Sequence, residues 1–264
     1  MQIVMGLVGI MSLVLIAVIF SSNRKAINLR TVGGAFAIQA LIPAFVIFTD
    51  SGASILGSVS AAVQAVIDSA NAGIGFLFGG LVSGTMFEVF GGGGFVFAFR
   101  VLPIIIFFAS LMAVLYYMGV MQLIIKIFGG ALQKALGTSR TESMSASANV
   151  FVGQTEAPLV VKPFIKSMTR SELFAVMAGG LSSVAGAVLA GYASLGVSLD
   201  YLIAASFMAA PGGLLMAKLL EPETETPKDE MGDLTDEDAM ADTEEQPVNV
   251  IDAAASGAAS GLHL

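Results

Sequence analysis

The chain has 264 residues, of which 56% are hydrophobic and 12% are charged, and its mean hydropathy is +0.85. This composition excludes an ordinary soluble domain and predicts an all-α integral membrane protein with several spans. The sequence contains no cysteine and a single histidine, His263, so it offers neither a disulfide framework nor a histidine or thiolate metal cluster.

The formal charge of −8 belongs mainly to one segment. Of the 20 acidic residues, 13 fall between Glu221 and Asp252, whereas residues 1–220 carry 11 basic and 7 acidic residues. We predict that residues 221–249 form an acidic, disordered loop, because they hold too little apolar surface to build a core. Neither part has the basic footprint of a nucleic-acid-binding protein, so the predicted partner is the lipid bilayer.

Residues 1–49 are predicted to form two transmembrane spans of a scaffold. Residues 1–20 lack the basic start and the small-residue cleavage site of a signal peptide, and a helix of that length reaches about 30 Å, enough to cross a bilayer. A second apolar run, residues 31–49, follows a loop in which Arg24, Lys25 and Arg30 cluster.

Residues 50–99 resemble a transmembrane span less clearly than residues 1–49 do. They are apolar but rich in small residues and contain Asp68, which favours interfacial or amphipathic helices over a regular span. The glycine-rich run FGGGGF, residues 90–95, lacks the Lys-Ser/Thr signature of a phosphate loop and is predicted to be a flexible connector.

The later apolar runs predict three more spans. Residues 100–127 are predicted to contain a third scaffold span, and residues 169–220 to contain two further spans. Residues 250–264, VIDAAASGAASGLHL, are small and apolar again and predict the start of a further helix, cut short by the end of the chain.

The basic residues predict the topology. If residues 21–30 and 221–249 are cytoplasmic and the N-terminus lies outside, 11 of the 12 basic residues face the cytoplasm. This holds only if the segment between Lys126 and Arg170 makes no net crossing of the membrane.

Residues 128–168 are therefore predicted to form a re-entrant hairpin, since residues 143–161 are apolar and small enough to enter the membrane. Gly153 permits a tight turn at the tip, Thr155 is a plausible N-cap of the second arm, and Pro158 suits its first turn. A helix broken at membrane depth leaves free backbone groups that become ligands.

Polar residues near the tip give this hairpin its predicted chemistry. Carbonyl oxygens at the end of the first arm, near Asn149, suit a monovalent cation, and Gln154 and Glu156 can hydrogen-bond a polar substrate. Two plainer interpretations stay open: Glu156 only caps the second arm, and Asn149 only closes the first. Ser183, with its neighbour Ser182, is predicted at mid-helix, where it either packs or contributes a ligand oxygen.

Four stretches of the sequence resemble the concentrative nucleoside transporters, and the resemblance is close to bacterial members. They are SSNRKAINLRTVGGAFAIQ from Ser21, LFGGLVSGTMFEVFGGGGFVFAFRVLP from Leu77, LGTSRTESMSASANVFVGQTEAPLVV from Leu136, and SELFAVMAGGLSSVAGAVLAGYAS from Ser171. The resemblance implies a multi-span helical transporter with re-entrant hairpins and two inverted repeats, of which this chain holds the first part. It also implies that the two spans in residues 169–220 belong to a transport unit that moves against the scaffold.

The resemblance also implies the function. The expected activity is sodium-coupled uptake of nucleosides such as uridine across the bacterial inner membrane, by a homotrimer with a periplasmic N-terminus, with sodium as coupling ion, no other cofactor and no enzymatic reaction. By the same resemblance, Gln154, Thr155 and Glu156 would bind the nucleobase beside Val188, and Asn149, Val152 and Ser183 would hold sodium.

Two alternatives remain at this stage. The first is a proton-coupled nucleoside symporter in which Glu156 carries the proton. The second is a membrane-embedded half-transporter that binds partners and transports nothing, because the family continues into a second repeat beyond the length of this chain.

Overall fold

The computed structural model describes residues 2–152, 157–184, 186–228 and 247–263, and every regular element in these ranges is helical. The α-helices are α1 (Gln2–Ile19), α2 (Leu29–Phe48), α3 (Asp50–Phe78), α4 (Thr85–Phe90), α5 (Phe97–Arg100), α6 (Leu102–Tyr117), α7 (Val120–Leu136), α8 (Arg140–Phe151), α9 (Arg170–Ser182), α10 (Gly186–Ser194), α11 (Leu199–Leu220) and α12 (Val250–His263). The 3₁₀ helices are Arg24–Ala26, Gly79–Val82, Gly91–Gly94 and Ala157–Phe164. The predicted all-α fold class is confirmed.

Long apolar helices give the described part of the chain its membrane character. Four stretches there are long and apolar enough to cross a bilayer: Leu29–Val46, Asp50–Phe90, Phe97–Tyr117 and Leu199–Leu220. Val4–Ile19, within the predicted first span, is a shorter apolar helix. The chain is therefore a multi-pass membrane protein, and the interfacial placement predicted for residues 50–99 stays a prediction.

The helices form two compact units. Unit 1 comprises Met1–Pro43, Ile125–Ser183 and Ser206–Glu244, and unit 2 comprises Ala44–Ile124, Val184–Ala205 and Glu245–Leu264. The predicted scaffold of residues 1–49 and 100–127 coincides with neither unit.

Small side chains allow close packing inside unit 1. A Cβ atom at Gly213 of α11 would lie 2.5 Å from the Ser182 Oγ atom, and one at Gly34 of α2 would lie 3.3 Å from Leu136. The core of unit 1 consists mainly of alanine and leucine side chains. Its buried members include Ala17, Ala35, Leu136, Ala146, Val150, Ala175, Leu214 and Ala217.

Helices α8 and α9 begin with the same four-residue pattern. Residues 139–142, SRTE, and residues 169–172, TRSE, each form a capping box, in which the Ser or Thr hydroxyl accepts from the backbone amide of the glutamate and the carboxylate accepts from the backbone amide of the capping residue. Both helices therefore start at a residue that the sequence specifies.

Two apolar runs within the predicted spans of residues 100–127 and 169–220 are divided in the structure. The apolar run 101–125 is divided into α6 and α7 at Gly119, whose φ of +76° ends the first helix in a conformation that glycine adopts readily. The run 173–198 is divided into α9 and α10, because Ser183 has an extended backbone with φ −123° and ψ 163°.

The mid-helix placement of Ser182 and Ser183 is therefore wrong. Ser182 ends α9, and its hydroxyl donates to the Gly179 carbonyl oxygen at 2.8 Å, the local bond expected of a serine that returns to its own helix. It also lies 3.3 Å from the Ala209 carbonyl oxygen of α11, whereas the next hydroxyl, on Ser183, donates to the Asn149 carbonyl oxygen of α8. The small and apolar residues on both sides gave no signal in the sequence that the helix is interrupted at Ser183.

Unit 2 is organised around α3, α6 and α10. Its core is aliphatic and aromatic, with Ile67, Ile74, Ile104, Phe108 and Ala190 buried together. The glycine-rich run predicted as a flexible connector contains the 3₁₀ helix Gly91–Gly94, and a Cβ atom at Gly94 would lie 2.6 Å from the Met86 backbone. That run therefore packs closely against α4.

The helix predicted in residues 250–264 is observed as α12, which packs on α6. Added Cβ atoms at Gly257 and Gly261 would lie 2.5 Å from the Ala113 Cβ atom and 2.7 Å from the Ala109 Cβ atom. The Ser110 hydroxyl donates to the Ala254 carbonyl oxygen at 2.8 Å. Small residues at four-residue spacing thus bring the two helix backbones together.

Candidate functional site

The tip of the predicted hairpin is bounded by two buried residues. Val152 follows α8 with an extended backbone, and Ala157 begins the 3₁₀ helix Ala157–Phe164; each is 1% exposed. Gln154, Thr155 and Glu156, the predicted substrate residues, lie outside the described residues together with Gly153. Their roles stay predictions.

The two arms of the predicted hairpin pack in one apolar cluster. Val161 and Phe164 of the second arm are buried with Val176 of α9, and Met144 of α8 packs against them. The second arm is the 3₁₀ helix Ala157–Phe164, and Pro163 inside it lacks the backbone amide that would donate a helical hydrogen bond. Insertion of these arms into the membrane stays a prediction.

Asn149 links the ends of α8 and α9. Its side chain is buried, and its Nδ2 atom donates to the Gly179 carbonyl oxygen near the end of α9. Its own carbonyl oxygen accepts from the Ser183 hydroxyl at 3.2 Å. The Asn149 Oδ1 atom is buried and has no hydrogen-bond partner among the described residues, so one acceptor remains available to a ligand.

The electrostatics of this contact favour a cation. The C-terminal ends of α8 and α9 meet here, and each helix end carries roughly half a negative charge from its free carbonyl groups. Neutral amide, hydroxyl and carbonyl oxygens are ligands that suit a hard monovalent cation better than a transition metal. Among the described residues there is no group of three or more His, Cys, Asp or Glu side chains that could hold a metal ion.

The predicted site residues are thus partly brought together. Asn149 and Ser183 are in direct contact, and Val152 directly follows the last residue of α8. Val188 lies half-buried on α10, which belongs to unit 2, so its grouping with the hairpin stays a prediction.

Sequence reasoning missed a group of charged residues in unit 1. Lys218 of α11 pairs with Glu142 of α8 and approaches Glu223 at 3.6 Å, and Glu172 of α9 lies close by through hydrogen bonds of Thr141 and Thr169. Glu142, Glu172, Lys218 and Glu223 are called the ion cluster below. The repeated patterns SRTE and TRSE could have indicated the starts of α8 and α9, and with them Glu142 and Glu172. Lys218 was counted only among the basic residues that predict the topology.

Family models match almost the whole chain. The model described as the N-terminus of the Na⁺-dependent nucleoside transporter matches residues 8–81, a model described as nucleoside recognition matches residues 98–199, and the C-terminus of the same transporter matches residues 201–264.

Relatives agree with this match. The chain is 53% identical over 260 residues to "Nucleoside permease NupC" of Helicobacter pylori, covering 98% of this chain and 60% of the relative. It is 38% identical to "Sodium/nucleoside cotransporter 1" of Rattus norvegicus, covering 92% of this chain and 35% of the relative. The chain thus spans about 60% of the length of the bacterial relative, and less of the mammalian one.

Solved structures agree as well. The structure of CNTnw "in an inward-facing substrate-bound state" matches with a TM-score of 0.91 and 62% sequence identity, over 100% of this chain and 60% of that one. Other matching structures of CNTnw variants are described as outward-facing and as intermediate states.

Proposed function

The chain belongs to the Na⁺-dependent nucleoside transporter family, whose members are transporters and not enzymes, and on this premise we propose that it serves sodium-coupled uptake of nucleosides. The observation that supports sodium coupling is the meeting of two helix C-terminal ends at Asn149, where one buried amide oxygen has no partner among the described residues.

In this proposal sodium binds where α8 and α9 end. The Asn149 Oδ1 atom, the Ser183 hydroxyl and backbone carbonyl oxygens near Val152 would coordinate it, and its charge would offset the two negative helix ends. A bound cation would thereby hold the start of the hairpin tip in one position. The free energy of this ordering would couple sodium binding to substrate binding.

The proposed substrate residues follow the tip. Gln154, Thr155 and Glu156 would hydrogen-bond the polar edge of the nucleobase, of uridine for example, and Val188 would contact its face. This assignment rests on family membership.

Transport would proceed by alternating access in the bacterial inner membrane. The inward-facing, outward-facing and intermediate states named for CNTnw support such a cycle. We further propose a homotrimer with its N-terminus in the periplasm and residues 21–30 and 221–249 in the cytoplasm, in line with the distribution of basic residues.

The proposal is tested by uptake of labelled uridine into vesicles that contain the complete gene product. We expect uptake to depend on an inward sodium gradient and to fall to background when choline replaces sodium at fixed pH. Uptake driven by a proton gradient without sodium would favour the proton-coupled alternative. Binding of uridine without any uptake would favour a protein that does not transport.

A substitution at Glu156 separates its two possible roles, substrate binding and capping of the second arm. Glu156→Gln keeps a hydrogen-bonding cap but removes the carboxylate, so we expect uridine uptake to be lost while the protein stays in the membrane. Unchanged uptake would return Glu156 to the capping role.

A further inference from the structure

Helices α8 and α9 are joined by hydrogen bonds at both of their ends. Near their N-terminal ends, the Thr141 hydroxyl donates to the Glu172 Oε1 atom at 2.8 Å. Near their C-terminal ends, Asn149 donates to Gly179 and accepts from Ser183. The two helices therefore run side by side in the same direction, with the candidate cation site at one end.

The N-terminal link is part of the ion cluster. Both oxygens of the Glu172 carboxylate are used, since Oε1 accepts from Thr141 and Oε2 accepts from the Thr169 backbone amide at 2.8 Å. The Lys218 ammonium group pairs with Glu142 and donates to the Ser171 hydroxyl at 2.8 Å, so it bridges the starts of α8 and α9.

Burial makes this link sensitive to the loss of any partner. The exposed fractions of Glu142 and Glu172 are 1% and 2%, so water does not substitute for a lost partner. Since each carboxylate is also bound to its own capping box, the link leaves little freedom for one helix to slide along the other.

An α-helix transmits such a constraint along its axis. Asn149 lies about eight residues beyond Thr141, or about 12 Å along α8. We propose that the Thr141–Glu172 hydrogen bond, held by the ion cluster, positions Asn149 against Ser183 and so tunes the affinity of the cation site. Thr141 is a positioning residue that does not contact the ion, and this inference rests on the proposed sodium coupling.

The test compares two buried threonines in the complete gene product. Thr141→Val removes the hydroxyl that reaches α9 while it keeps the shape of the side chain. Thr138→Val is the matched control, because the Thr138 side chain is similarly buried and its hydroxyl bonds, among the described residues, the nearby Ser143 hydroxyl at 2.7 Å and no group of α9. Thr141→Ser restores a hydroxyl and serves as the rescue variant.

The measurement is the sodium concentration that gives half-maximal uridine uptake, together with the maximal rate at saturating sodium. For Thr141→Val we expect that concentration to rise about fivefold or more, at the lower end of ordinary coupling between sites, with the maximal rate largely kept. Thr138→Val and Thr141→Ser should stay near the unsubstituted protein.

Two results would overturn the inference. Equal sodium dependence for Thr141→Val and Thr138→Val would show that the link does not reach the cation site. A lower maximal rate that Thr141→Ser does not rescue would assign Thr141 a purely structural role. If the unsubstituted protein shows no sodium dependence, the proposed function fails instead, so the two failures are distinguishable.

Discussion

The helix pair α8 and α9 and the helix pair α6 and α12 are held together in opposite ways. The first is joined by buried polar groups, including the Thr141–Glu172 hydrogen bond and the Lys218 ammonium group. The second is joined by close backbone contact at Gly257 and Gly261, which have no side chains to separate the two helices. Polar contacts specify one relative position but leave a costly charge if a partner is lost, whereas small residues give close contact without desolvation.

The largest effect is expected from removing the charge of Lys218. Lys218→Met leaves the Glu142 carboxylate buried without its ammonium partner, which costs about 3 to 5 kcal/mol of unfolding free energy. The measurement is thermal unfolding in detergent. Lys134→Met is the matched control, because Lys134 is exposed on α7 and its loss should change stability by less than about 0.5 kcal/mol. Equal melting temperatures for the two variants would show that the ion cluster does not stabilise unit 1.

A smaller effect is expected at the contact of α12 with α6. Gly257→Ala places a Cβ atom 2.5 Å from the Ala113 Cβ atom, and overpacking of this kind costs about 1 to 3 kcal/mol. Gly73→Ala on α3 is the control, since a Cβ atom there has no neighbour within 4 Å and alanine favours the helix. The two substitutions should shift the melting temperature in opposite directions; a stabilising Gly257→Ala would contradict the close approach.

The smallest effect is expected from a single oxygen of the candidate cation site. Ser183→Ala removes a proposed ligand oxygen and the hydrogen bond to the Asn149 carbonyl oxygen, worth about 0.5 to 1.5 kcal/mol, so half-saturating sodium should rise about two- to tenfold. Ser182→Ala is the neighbouring control, because the Ser182 hydroxyl donates to the Gly179 carbonyl oxygen of its own helix and to the Ala209 carbonyl oxygen of α11, and not to Asn149. The same sodium dependence in both variants would remove Ser183 from the site.

The sequence predicted the all-α membrane fold because long apolar runs leave few other solutions. The family resemblance placed Asn149, Val152 and Ser183 at one sodium site, and the structure brings Asn149 and Ser183 into contact, while their role in binding sodium stays a prediction. Only the resemblance could group these two residues, since their separation along the chain has no local signature.

The misses have local physical causes. The break at Ser183 was not predicted, because small and apolar residues continue on both sides of it and give no breaking signal. Lys218 was read as a cytoplasmic marker, since a single lysine at the end of an apolar run is typical of one. Its partner Glu142 is distant in the sequence, so only the folded chain brings the two together.

The ion cluster also sets an order of events during synthesis. Glu142 leaves the ribosome before Lys218, which lies near the end of α11, and an unpaired carboxylate is costly to bury. We therefore expect the start of α8 to stay in contact with water until α11 has been made. Assembly of the hairpin with α9 is completed only when that later helix supplies its lysine.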